Sequence, residues 1–410
     1  MDNGPARVVI VGAGHAGGAA AALLRQYGWT GPITLIGEEP LPPYQRPPLS
    51  KAWLTGEADA AGLLLRPDAF YPANAITLRL SQRVTAIDRA ARCVRLASGE
   101  AVAYDRLILA LGARPRTLDL PGTALRGVQV LRNAADANRL QTALVPGARL
   151  VVIGGGYIGL EVAASARAIG VAVTVIEREP HVLARVASPA LSACFERVHA
   201  QRGVRLELNA TVEALEGSAG AVAAVRLRDG RAIACDVVLI GVGAGPDDGL
   251  ARAAGLVCDG GIVVDAAARS SDPAIHAIGD CTCRPLPLYG RTMRLESVPS
   301  ALEMAKQAAA DLCGRKPPMP EVPWFWSDQF DLRLQIAGLP FDAVETVLRG
   351  GPEPGDFAVF HLAADGAVRA VEAVNAPAEF MAGKMMIARR HRVAAALLRD
   401  PARSLQQLAA

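Results

Sequence analysis

Short apolar runs closed by glycine turns recur along the chain, and two stretches repeat one order of events. Residues Arg7 to Gly14 read as a buried strand ending in a glycine turn. An alanine-rich helical pattern follows to about Tyr27, then a strand Ile33–Ile36 ending in Gly37 and Glu38. Residues Arg149 to Gly156 repeat the pattern, with a helix to about Ile169 and a strand Val171–Ile176 ending at Glu177. Strand, glycine turn, helix and strand make a βαβ unit, and two copies predict two nucleotide-binding domains of similar architecture.

Each repeat is followed by a β-rich stretch with turn punctuation. The first comprises Arg92–Leu96, the turn Ser98-Gly99 and Val102–Leu111; the second comprises Val222–Leu227, the turn Asp229-Gly230 and Ala232–Ile240. Pro317 to Pro323 is proline-rich and reads as a linker. Beyond it, Arg333–Leu339, Val344–Arg349, Phe357–Leu362 and Val368–Val374 read as strands, with turns at Gly351, Gly355 and Asp365-Gly366. A basic helical end follows from about Glu379. The fold class is therefore α/β: two Rossmann-like dinucleotide-binding domains plus a C-terminal α+β domain. The expected boundaries are 1–112 with 244–320 for the first, 113–243 for the second and 321–410 for the third.

Composition narrows the class. Of 410 residues, 51% are hydrophobic and 20% charged, enough for packed cores and unlike a disordered chain. A net charge of +3, from 43 basic and 40 acidic residues, argues against a nucleic-acid coat or a general membrane binder. The apolar run Val8 to Leu24 is interrupted by glycines and His15, so it is not a membrane span. The start, Met1 to Ala6, is polar and lacks an export signal, which makes cytoplasm the expected location. The seven cysteines, 93, 194, 235, 258, 281, 283 and 313, contain no CxxC pair and no iron–sulfur ligand run. They read as reduced thiols, and no metal site is expected.

The chemistry lies in the glycine turns. In Gly12-x-Gly14-x-x-Gly17 the first glycine permits the tight turn, the second lets backbone approach a pyrophosphate, and the third allows close helix–strand packing. Unpaired N–H groups and the positive dipole end of the helix then face the phosphates. Glu38, at the next strand end, can accept hydrogen bonds from ribose hydroxyls. Gly154-x-Gly156-x-x-Gly159 with Glu177 repeats the device, and a carboxylate at that point repels a 2′-phosphate and favours NADH over NADPH. The neighbouring Arg178 reads as a solvent-facing base. Two dinucleotide sites in one chain imply a flavin beside a nicotinamide.

Further motifs carry a family resemblance. Ala110-Leu-Gly112-Ala-Arg-Pro115-Arg resembles the ATGxxPR segment of two-dinucleotide flavoproteins, and Ala277-Ile-Gly-Asp-Cys281 their second flavin motif. With Arg46-Pro-Pro-Leu-Ser-Lys51, Glu296-Ser-Val-Pro299 and Pro323-Trp-Phe-Trp-Ser-Asp-Gln329, the chain from about Val8 to Lys384 resembles the NADH-dependent ferredoxin reductases of bacterial oxygenase systems. That family has a glutathione-reductase-like FAD/NAD fold. The resemblance implies non-covalent FAD, hydride transfer from NADH to the flavin, and single electrons passed to a small [2Fe-2S] ferredoxin. The ferredoxin then feeds a haem monooxygenase or another oxygenase.

The resemblance also implies residue roles, each with an ordinary counterpart. Asp280 would bind the ribityl hydroxyls of FAD, and Lys51 would sit by the isoalloxazine or else be a solvated lysine. Ala16, Val84, Arg132 and Val298 align with flavin contacts, although Val84 and Val298 are equally core residues. Glu161 would hold the nicotinamide amide and pair with Lys51, or merely complement a helix dipole. Tyr157 would cover the flavin face or pack, and Trp326 would shield the flavin toward the docked acceptor or pack.

No cysteine precedes Cys93, so no thiol sits where flavoprotein disulfide reductases keep theirs. The CxC spacing of Cys281 and Cys283 fits packing better than redox cycling. Electrons are therefore expected to leave for an external acceptor. An acidic ferredoxin calls for a basic face, with Lys306, Arg315, Lys316, Lys384, Arg389, Arg390 and Arg392 as candidates, or an ordinary solvated helix face. The alternative enzyme is a flavoprotein reductase acting directly on a small acceptor such as a quinone or radical. A non-enzymatic sensor or nucleic-acid binder would call for strong basicity or a long third-domain insertion, and neither is present.

Overall fold

The computed structural model describes residues 5–351 and 355–409. The chain forms two compact units: Met1–Gln45, Ala60–Arg114 and Gly245–Glu321 make the first, and Arg46–Asp59, Pro115–Ala244 and Val322–Ala410 the second.

In the first unit, Val8–Val11 is buried along its whole length and pairs in parallel on both sides. The sheet order is Ile76–Arg79, Ile33–Ile36, Val8–Val11, Arg106–Leu109, Ile275–Ala277, which follows five of the six positions in the 3-2-1-4-5-6 order of a dinucleotide fold. Helix His15–Gln26 makes the first crossover and packs on helix Val298–Leu312. A three-stranded antiparallel layer, Val84–Asp88, Cys93–Leu96 and Ala101–Ala103, precedes the fourth parallel strand.

The second unit repeats this plan. Arg205–Glu207, Ala172–Ile176, Arg149–Ile153 and Val237–Ile240 pair in parallel, and the fifth position is taken by Val128–Gln129, which precedes the others in the chain. A meander of Val212–Ser218, Ala221–Leu227 and Ala232–Ala234 corresponds to the first unit's antiparallel layer.

The stretches Val102–Leu111 and Ala232–Ile240 each divide where an aspartate stops the apolar run. Asp105 accepts the Arg7 backbone N–H at 2.7 Å and its Nε at 3.0 Å. Asp236 accepts the same two groups of Arg149 at 2.9 and 3.0 Å. Each bond ties the entry of the first parallel strand to the corner that leads into the fourth. The strand expected from Val171 begins at Ala172, because the Val171 N–H closes the preceding helix on Ala166 O at 3.0 Å.

The C-terminal segment is a five-stranded antiparallel sheet in the order Trp324–Gln329, Leu332–Gly338, Val368–Val374, Asp356–Ala363, Ala343–Gly351, with helix Pro377–Ala388 packed on it. Gly351 closes a strand and Gly355 turns with φ +108°, while 352–354 lie outside the described residues. The expected basic helical end is broken instead. Its helix stops at Ala388, Arg390 takes φ +51°, and two short helices, Ala395–Arg399 and Leu405–Ala409, follow.

One face of this sheet shares its core with the second nucleotide fold. Leu332, Leu334, Ile336, Phe357, Val359 and Val374 are continuous with Val152, Leu160, Val162 and Leu54. Glu372, 4% exposed, accepts the Ser188 N–H at 2.9 Å and the Ser188 hydroxyl, gripping the cap of helix Pro189–Gln201. Among the described residues, no helix is long and apolar enough to cross a membrane, and no cluster of acidic, histidine or cysteine side chains is placed to hold a metal.

Candidate functional site

The first unit builds one nucleotide cradle. Gly12 has φ +111°, and a Cβ there would meet Ala110 O at 2.2 Å; one at Gly17 would meet Gly12 O at 1.9 Å. Neither position admits a side chain. Gly14 caps helix His15–Gln26 with no side-chain hydrogen bond and no acid in the first turn, which leaves first-turn amides open to an anion. Gly279, at φ +79°, brings the Asp280 corner against Ala16, since a Cβ there would stand 3.2 Å from that of Ala16. Asp280 is half-buried. Val298 opens its helix under a Ser297 cap, and Val84 opens its strand; both are half-buried. Glu38 is exposed and lies 3.8 Å from Arg83. Open amides, a corner closed to Cβ atoms and a carboxylate at the next strand end fit a pyrophosphate with polyhydroxyl chains.

The second unit repeats the cradle. A Cβ on Gly154 would meet Gly241 O at 2.5 Å, one on Gly159 would meet Gly154 O at 2.3 Å, and one on Gly156 would meet nothing within 4 Å. The last position is the open side of the turn. Glu177 behaves differently from Glu38: it accepts the Gly155 N–H at 2.7 Å and the Glu179 N–H at 3.0 Å. It braces the glycine turn while carrying the negative charge expected there. Arg178 is exposed and pairs with Glu179 at 3.2 Å.

Beside this turn lies a charged cluster. Glu161, one turn into helix Tyr157–Ala168, is 4% exposed. Its Oε2 accepts Lys51 Nζ at 2.7 Å and the Ser50 hydroxyl, and its Oε1 accepts Ser327 Oγ at 2.7 Å. Ser165, one turn further along the same face, donates its hydroxyl to Ser50 O at 2.8 Å. Glu161 is therefore a buried counter-ion and not a surface acid tuning the helix dipole. Lys51 is its partner, with a side chain 21% exposed, and not a freely solvated lysine. The family resemblance implies the Lys51–Glu161 pair, which the structure forms; Ser50 and Ser327 lie inside the matching motifs but carry no signal of their own.

The aromatic and remaining predicted residues are also placed. Tyr157 packs edge-on against Phe325 with ring centroids 4.7 Å apart, and its hydroxyl lies 3.5 Å from Val186 O. Burial, helped by the Glu372 charge, pushes its phenol well above the ordinary range and keeps it protonated. Trp326 lies 5.7 Å from Trp324, which in turn carries Lys384 Nζ 5.0 Å above its ring. Arg132 donates its backbone N–H to Asp136 at 2.9 Å and accepts Arg46 at its carbonyl.

Several of the basic candidates are engaged within their own units. Lys306 pairs with Glu321 at 3.0 Å, Arg315 lies over Tyr27 at 5.0 Å, and Arg392 pairs with Asp365 at 2.9 Å. Arg389, Arg390 and Lys316 are exposed.

No thiol is poised to react. All seven cysteines are free. Burial pushes Cys235 up to about 11 and Cys281 up to about 12. Cys281 points its thiol at Ile278 O, 3.4 Å away, and is fully buried.

Known proteins match this chain along most of its length. The family model described as pyridine nucleotide-disulphide oxidoreductase matches residues 6–305, and the one described as reductase C-terminal matches 324–409. A probable ferredoxin reductase of Castellaniella defragrans is 53% identical over 400 residues, spanning 97% of this chain and 98% of that protein. Putidaredoxin reductase of Pseudomonas putida is 43% identical over 408 residues, spanning 98% and 96%. The crystal structure of the covalent putidaredoxin reductase–putidaredoxin complex matches with a TM-score of 0.96 at 42% identity, covering 99% of this chain and 98% of that one.

Proposed function

Because this chain belongs to the pyridine nucleotide-disulphide oxidoreductase family, and within it to the oxygenase-coupled ferredoxin reductases, we propose that it is an FAD-dependent NADH:ferredoxin oxidoreductase. Its partner is a ferredoxin, which we assign to the small [2Fe-2S] class feeding a haem monooxygenase or another oxygenase. The observation that carries the reading is two dinucleotide cradles in a chain whose cysteines are free and whose Cys281 thiol, beside the second flavin motif, is kept protonated by burial. Bound here, FAD would supply a carrier able to take two electrons from NADH and release them one at a time.

The residues divide the work. Gly12, Gly14 and Gly17 bring backbone amides to the FAD pyrophosphate, Asp280 accepts from ribityl hydroxyls and Glu38 from ribose, with Ala16, Val84, Arg132 and Val298 contacting the cofactor. Gly154, Gly156 and Gly159 do the same for NADH, and Glu177 sets a negative charge where NADPH would carry its 2′-phosphate. Glu161 keeps the Lys51 ammonium in one place beside the glycine turn, where a cation steadies developing negative charge. Tyr157 and Trp326 exclude water from the reacting end. The domain boundaries read from the sequence and a cytoplasmic location belong to this proposal. So does docking through Lys306, Arg315, Lys316, Lys384, Arg389, Arg390 and Arg392.

The test is anaerobic rapid mixing. NADH should bleach the flavin far faster than NADPH, turnover should be slow alone and fast once a [2Fe-2S] protein is added, and added salt should slow only the second step. Rapid turnover with a quinone, unaffected by ferredoxin, would transfer the assignment to a small-molecule reductase.

A further inference from the structure

The motif Pro323–Gln329 contributes two polar side chains that the roles above leave unused. Ser327 is 0% exposed, Gln329 1% and His199 1%. His199 Nε2 lies 2.9 Å from Gln329 Oε1, Gln329 Nε2 lies 3.1 Å from Ser327 Oγ, and Ser327 Oγ lies 2.7 Å from Glu161 Oε1.

Donor–acceptor chemistry gives this line one direction. An ionised carboxylate only accepts, so Ser327 donates its hydroxyl proton to Glu161. The Ser327 oxygen then accepts from the Gln329 amide N–H, which turns Gln329 Oε1 toward His199 and fixes the His199 proton on Nε2. Burial keeps that imidazole neutral, against the opposing pull of the Gln329 bond. Every donor points toward Glu161. The carboxylate is thus held from two sides: the C-terminal sheet occupies Oε1, and Oε2 takes Ser50 and Lys51.

We propose that Ser327, oriented by Gln329 and His199, is a positioning residue that fixes Glu161 so that the Lys51 ammonium sits at one place for hydride transfer. This rests on the reading that Lys51 and Glu161 serve the NADH half-reaction. Without the Ser327 hydroxyl, Glu161 can rotate and Lys51 follows it, while the nucleotide cradle around Gly154 is untouched.

Two readouts test the idea on the flavin-loaded protein. Ser327→Ala should slow anaerobic flavin reduction at saturating NADH about tenfold, the equivalent of one hydrogen bond to a charged group, with half-saturation by NADH within about twofold of wild type. Lys51 is one of only four lysines, with Lys306, Lys316 and Lys384, so reductive methylation followed by mass spectrometry resolves each site. In Ser327→Ala, Lys51 should label several-fold faster and the other three at their original rates. Ser327→Thr, which keeps the hydroxyl, should restore both values, and Gln329→Met should move both partway. Wild-type reduction and labelling in Ser327→Ala, or equal losses in the Ala and Thr variants, would overturn the proposal. Failure of the wild-type flavin to be reduced by NADH would instead overturn the assignment of the reaction itself.

Discussion

Glu177 closes the glycine turn through the Gly155 N–H, and in the proposed function the same carboxylate does a second job, repelling a 2′-phosphate. Glu177→Ala should therefore raise KM for NADH and cut the NADH:NADPH ratio of kcat/KM roughly tenfold, since about one charge–charge term of 1–2 kcal/mol is lost. The sequence spacing points to the second job, which this ratio tests. It hid the first, because a 22-residue separation says nothing about which amide a strand-end acid can reach. Cys281 illustrates the opposite case. Its position beside the flavin motif invited a redox role, but its burial and a thiol pushed up to about 12 leave almost no thiolate at neutral pH. Iodoacetamide at pH 8 should leave NADH–ferricyanide turnover unchanged, and peptide mapping should find Cys281 unmodified.

At the level of elements, both βαβ units were legible because buried strands and glycine turns write themselves into local sequence. What was not legible are the places where a polar residue overrides a continuous apolar run. Asp105 and Asp236 cut predicted strands in two through partners 98 and 87 residues away. The strand Trp324–Gln329 does not read as one in the sequence, since its alternate residues bury polar groups, Ser327 and Gln329, against other side chains. Buried histidines also couple these elements to pH. Burial lowers the folded-state values of His199 and His276, outweighing the Asp311 bond to the latter. The unfolded chain, titrating near 6.5, thus binds more protons below that pH, and stability should drop as pH falls from 7.5 to 5.5. The slope is bounded by about 1.4 kcal/mol per pH unit for each histidine. Urea midpoints would show it, and His199→Gln should roughly halve the dependence.

Across the whole molecule, the linker Pro317–Pro323 reads in sequence as a boundary between separable domains, and it carries no helix or strand. Yet one face of the sheet beyond it shares a core with Val152, Leu160 and Leu54, and Glu372 grips the cap of a helix in the second nucleotide fold. A proline-rich segment reports local stiffness and is silent about what its far side packs against. A chain ended at Glu321 should accordingly express as aggregate, with Leu160 and its neighbours stripped of their cover, and gel filtration would register the change. That fused core also sets the rules for recombining this reductase with its relatives. A chimera with one crossover at residue 321 mates a foreign sheet to a native helix Tyr157–Ala168, whereas exchanging Arg46–Asp59, Pro115–Ala244 and Val322–Ala410 together transplants an intact body.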